Sequence, residues 1–172
     1  MRKFRKLLAA LVTVTLIGLL SGCASDSQYS QQDIMFAEMM IPHHAQAIEM
    51  SDLAISKSTN QEILELAKEI KAAQEPEIAQ MKAWGGVDAD AHMGHSMMGM
   101  LSQEDLDKLK VASAKEFDRL FLEGMIFHHE GAIDMARMVE DSQNSEVAKL
   151  ARSIIFAQTS EIELMRKLLS GD

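Results

Sequence analysis

The 172-residue chain has a single cysteine, two prolines and eight aromatic residues, and its 17 lysines and arginines are outnumbered by 26 aspartates and glutamates. Each scarcity excludes something. A lone thiol can neither close an internal disulfide nor build a zinc–cysteine cluster, so the fold must rest on an apolar core. A net charge of minus nine repels phosphate backbones and leaves no basic stripe for a nucleic-acid partner. The longest apolar run, Leu7 to Leu20, has 14 residues and falls short of the ~20 needed to cross a bilayer. What the chain has in excess is methionine, 14 residues of it.

The apolar run follows Arg2, Lys3, Arg5 and Lys6 and precedes the small residues Ser21 and Gly22, the order of an export signal over residues 1–22. Leu20-Ser21-Gly22-Cys23 resembles a bacterial lipobox, which implies a lipid anchor on Cys23 and consumption of the only thiol. Ala24 after the cysteine, by resemblance to lipoprotein sorting, implies the outer membrane in a cell with two membranes. Cleavage would remove four cations and no anions, deepening the net charge to minus 13. Residues 23–30 read as a polar tether and 31–172 as one domain.

That domain is an internal duplication. Phe36 to Met50 aligns with Phe121 to Met135 at an offset of 85, and Asn60, Glu62, Leu66, Ala67, Ile70, Gln74, Glu77 and Met81 align with Asn144, Glu146, Leu150, Ala151, Ile154, Gln158, Glu161 and Met165 at an offset of 84. Ile34, Ile41, Ile48 and Ile55 recur every seven residues, a helical seam without strand-like alternation. Helices are expected at 31–56, 60–83, 103–141 and 144–169, capped by Ser30, Thr59, Ser102 and Asn144. The fold class that follows is all-α, a four-helix bundle of two duplicated hairpins. Pro42 and Pro76 should kink their helices, although Pro42 could instead open a new one.

Two adjacent histidine pairs occupy matched repeat positions, His43-His44 and His128-His129. Projected at 100° per residue, His44 faces inward with Met40 one turn away, while His43 lies toward the flank beside Met39 and Met50. In the second copy Met125 and His129 take the inner positions, His128 shares a side with Met135, and Gly124 replaces Met39. A single buried histidine is ordinarily a hydrogen-bonded core residue, but two matched pairs with methionine one turn away point to metal binding. The connection at 85–102 adds independent weight, because His92, Met93, His95, Met97, Met98 and Met100 crowd a flexible segment with no helical period to satisfy. Imidazole with thioether selects copper, above all Cu(I), and accepts Ag(I). Binding through histidine should weaken below the ordinary imidazole pKa of ~6.5, while thioether ligation persists.

The Met-Ile-x-His-His-x-x-Ala-Ile-x-Met pattern at Met40–Met50 and Met125–Met135 resembles the signature of the domain of unknown function 305 family. The resemblance implies a ferritin-like four-helix fold with a long middle crossover, and copper binding as in that family's periplasmic members. It further implies that His43, His44, His128, His129, Met40, Met50, Met125 and Met135 are the ligands. Expected partners are a metal ion, a membrane through the lipid anchor, and a copper-exchange protein; no turnover is expected. Two other functions compete. One is a di-metal oxidase on a ferritin-like bundle, which needs a Glu-x-x-His motif that neither copy contains. The other is an envelope scaffold whose methionines serve as packing.

Overall fold

A computed structural model describes residues 28–171 except 93, 95 and 96. The leader, the lipobox Cys23, Met93 and His95 lie outside the described residues. Five helices form: α1 (Gln31–Lys57), α2 (Gln61–Lys82), α3 (Gln103–Val111), α4 (Ala114–Arg137) and α5 (Ser145–Ser170). Ser30 opens α1 with a reciprocal capping box, its hydroxyl accepting from the Asp33 amide at 3.1 Å and the Asp33 carboxylate accepting from the Ser30 amide at 2.8 Å. α2 is capped by Asn60 and not by Thr59. The Ser58 hydroxyl accepts from the Asn60 amide at 3.1 Å, and this turns the Asn60 side chain onto the Glu62 amide at 2.9 Å. Ser142, Asn144 and Glu146 repeat that device at the start of α5, at 3.1 and 2.9 Å.

α1 and α2 run unbroken through Pro42 and Pro76, so Pro42 opens no separate helix. The helix expected at 103–141 is two. It breaks at Ala112 and Ser113, both extended, and α4 stops at Arg137. The reason is geometric. Lys57, the last residue of α1, sits over the Phe117 ring at 5.7 Å, so α4 begins level with the end of α1. A continuous helix would project α3 past that end into solvent, whereas the break folds it back and buries Leu106 and Leu109 in the same cluster as Phe117 and Phe121. Ser113-Ala-Lys-Glu116 has the Ser-x-x-Glu spelling of a helix start, but the Ser113 side chain makes no cap hydrogen bond, and the break is set by packing.

α1 and α4 are antiparallel. Gln32 donates to the Met138 carbonyl at 2.6 Å near one end, the His43 and His128 rings meet at 3.8 Å in the middle, and Lys57 covers Phe117 at the other end. With α2 antiparallel to α1 and α5 antiparallel to α4, helices α2 and α4 run in the same direction. The stretch between them, 83–113, therefore travels the length of the bundle as a long crossover, the ferritin-like arrangement. The two hairpins are related by a pseudo-twofold axis at which His43 meets its own counterpart.

The crossover breaks that symmetry. At matched repeat positions the first copy has Gln46 and the second Gly131. Gln46 clamps the Leu101 backbone, accepting from its amide at 2.7 Å and donating to its carbonyl at 3.1 Å. Gly131 gives passage: a Cβ there would lie 2.6 Å from the Gly99 Cα and strike the Met98 carbonyl. Gly99, at φ +82°, could carry no side chain either, since its Cβ would fall 2.8 Å from the Gly131 Cα and 2.9 Å from the His128 carbonyl. Gly131→Ala is expected to push the crossover off α4 and cost about 1–3 kcal/mol of stability in urea unfolding. Gly85→Ala, with no atom within 4 Å of the new methyl, serves as the neutral control.

Candidate metal centre

The inward stripes of all four long helices are apolar at both ends and polar in the middle. One buried cluster holds Phe36, Met40, Met81, Met135 and Ile154; the other holds Met50, Ile70, Phe121, Met125 and Met165. Between them lies a layer of His43, His44, Gln74, Glu77, His128, His129, Gln158 and Glu161. All four histidines are fully buried. The flank position expected for His43 and His128 is therefore wrong: α1 packs against both α2 and α4, which buries a wider face than a single-partner projection allows.

Each imidazole is held through Nε2 by an oxygen. His43 donates to the Met98 carbonyl at 3.0 Å and His128 to the His43 carbonyl at 3.0 Å. His44 donates to Glu77 at 2.8 Å and His129 to Glu161 at 2.6 Å. Carbonyls and carboxylates accept, so the Nε2 atoms carry the hydrogens. In the neutral rings the lone pairs then sit on Nδ1. All four Nδ1 atoms are buried without a hydrogen-bond partner, as are both polar atoms of the Gln74 amide and Oε1 of Gln158. Buried polar atoms are ordinarily satisfied, and leaving one unpaired costs about 1–3 kcal/mol. An imidazole anchored through one nitrogen to a carboxylate or carbonyl, with the other nitrogen bare, is the geometry of a metal ligand with its outer support in place.

Glu77 and Glu161 are the supports that sequence reasoning missed. They appear as a matched pair in the duplication, but their role follows only from the hairpin register that puts them level with His44 and His129. Among the described residues no three His, Cys, Asp or Glu side chains gather as a metal cluster. The soft donors on the same inward stripes are thioethers. Met40, Met50, Met125 and Met135 are buried around the layer. Met39 is half-buried on the edge of the first cluster.

The central tract separates into parts. Met98 brings its carbonyl to His43 while its side chain remains 62% exposed, and Gly99 is buried. Met97 and Met100 are half-buried, and His92 lines a surface cleft with Ile34, Met35, Glu38 and Gly86. At residues 97–101 the connection is thus pinned to the bundle, where a flexible segment was expected.

A four-helix bundle of ferritin-like topology, made of two hairpins with an imidazole pair on their pseudo-twofold, defines the class. The chain belongs to the family described as Domain of unknown function (DUF305), whose model matches residues 33–169. It is similar to a DUF305 protein from Streptomyces coelicolor that carries a secreted-protein designation, at 31% identity over 81% of this chain and 93% of that one, with a TM-score of 0.72. A DUF305 fragment from Deinococcus radiodurans is 30% identical over 83% and 98%, also at 0.72. CopM in its Cu(II)-bound form is 36% identical over 81% and 96%, at 0.70, and CopM has also been solved with Cu(I) and with silver bound. No curated protein matches the chain.

Burial moves the titration expected for these histidines. Desolvation first, then the neighbouring His44, pushes His43 down to about 3, and desolvation with the facing His43 holds His128 well below the ordinary imidazole range. Protons therefore compete for His43 far below the pH of ~6.5 expected from an unperturbed ring. The sign for stability follows. Below pH ~6.5 the unfolded chain takes up protons that the folded chain refuses, so metal-free stability must fall as pH drops. In urea unfolding with chelator present, the loss between pH 7 and 5.5 should approach a limiting slope of about 1.4 kcal/mol per pH unit for each of the two histidines. His128→Leu should remove one histidine's share of that slope, and a flat wild-type profile would contradict buried neutral rings.

Proposed function

We propose that this protein is an exported copper-binding protein that holds Cu(I), and accepts Ag(I), for sequestration or handover in the cell envelope, without turnover. Residues 1–22 serve as the lipoprotein signal, Cys23 as the lipid anchor on the periplasmic side and 31–172 as the binding domain. The outer membrane is the proposed site in a cell with two membranes, and a copper-exchange protein the proposed partner.

The observation that carries the reading is the set of four buried imidazoles, each tied through Nε2 to an oxygen and each leaving Nδ1 bare in a methionine-lined interior. Imidazole and thioether together suit Cu(I) and Ag(I). Outside the cytoplasm thioethers also remain ligands where thiols are drawn into disulfides. CopM, similar over most of this chain, has been solved with both metals bound.

The test is a Cu(I) titration of the mature chain against a competing chelator. Wild type is compared with His43/His44→Ala, His128/His129→Ala and a deletion of residues 91–100. Each double substitution should weaken competition by about ten-fold or more. Failure of all four preparations to compete would sink the copper reading, and loss confined to the deletion would make the helical pairs structural.

A further inference from the structure

The duplicated second helices carry a motif that the histidine signature does not use. On the inward stripe of α2 stand Gln74, Glu77 and Met81, and at the matched positions of α5 stand Gln158, Glu161 and Met165. Met81 and Met165 are both fully buried. Met81 lies four residues beyond Glu77, and Met40 four residues before His44, on antiparallel helices joined by the His44–Glu77 bond at 2.8 Å. The two methionines are therefore level, one turn from that bond. Met125 and Met165 stand in the same relation to the His129–Glu161 bond at 2.6 Å.

The first helices supply the third member. Met135 lies seven residues after His128 and Met40 three before His43, and the N-terminal tilt of helical side chains draws them toward each other. Met40, Met81 and Met135 accordingly fall in one buried cluster. The pseudo-twofold generates the mate, with Met50, Met125 and Met165 in the other cluster. The methyl end of Met50 reaches α4, lying 3.3 Å from where a Gly124 side chain would begin. Beside each trio is a buried imidazole whose Nδ1 has no partner, His44 for the first and His129 for the second.

Building on the copper reading, we propose that Met81 and Met165 are the third thioethers of two equivalent sites for a soft monovalent cation. One site has Met40, Met81 and Met135 with His44 Nδ1; the other has Met125, Met165 and Met50 with His129 Nδ1. Each draws on three helices, two from one hairpin and one from the other, so the hairpins must dock before either site exists. Three sulfurs and one nitrogen form a donor set that favours Cu(I) or Ag(I) over a hard divalent ion.

The experiment follows the methionine methyl resonances of the full chain, carbon-13 labelled, during titration with silver(I). The Met81 and Met165 signals should move together with those of Met40 and Met135, and of Met50 and Met125, respectively. Met81→Leu keeps the core volume. It should leave the metal-free thermal midpoint nearly unchanged and shift the Met40 and Met135 responses to silver concentrations about ten-fold higher or more, with the Met165 site unaffected. Met165→Leu should do the reverse. If the Met40, Met50, Met125 and Met135 signals respond while Met81 and Met165 stay still, this inference fails and the copper reading stands. If none of the six moves, both fail.

Discussion

The antiparallel contact of α1 with α4, centred where His43 meets His128, is the constraint on which the rest of the structure depends. It fixes the levels of both hairpins relative to one another, and the register within each hairpin then sets which residues of α2 and α5 face the middle layer. It also forces polar groups into a place where water cannot serve them. A bundle interior filled with leucine at the same positions would avoid that cost. The two apolar clusters on either side offset it, and the hydrogen bonds to Nε2 limit it to one bare nitrogen per ring.

Much of this was legible in the sequence, because duplication repeats its signals. The matched histidine pairs, the heptad of isoleucines and the caps at Ser30, Ser102 and Asn144 all point to the elements observed. What escaped depends on tertiary geometry. The break before α4 has no proline or glycine to announce it, and its cause is the length of α1, which the residues around Ser113 do not encode. The burial of His43 was misjudged because a projection of one helix assumes one partner, and α1 has two. Glu77 and Glu161 were visible as a matched pair, but a matched glutamate acquires a chemical role only when the hairpin register brings it to an imidazole.

The crossover is where the two copies stop being equivalent. His43 donates to it and His128 does not, Gln46 grips it and Gly131 yields to it. The same stretch of chain that joins the hairpins thereby supplies an oxygen partner to one central ring. At that junction the Met98 side chain is turned to solvent and its carbonyl to the histidine.

An isologous contact between two like hairpins is also the interface of a symmetric dimer, with each residue facing its own counterpart. Two separate hairpins would have to find each other in solution, and their pairing would vanish on dilution. The span from 83 to 113 replaces that bimolecular step with an intramolecular one, holding each half near the other at an effective concentration of order millimolar. Assembly of the central layer is thus made independent of how many copies the cell contains.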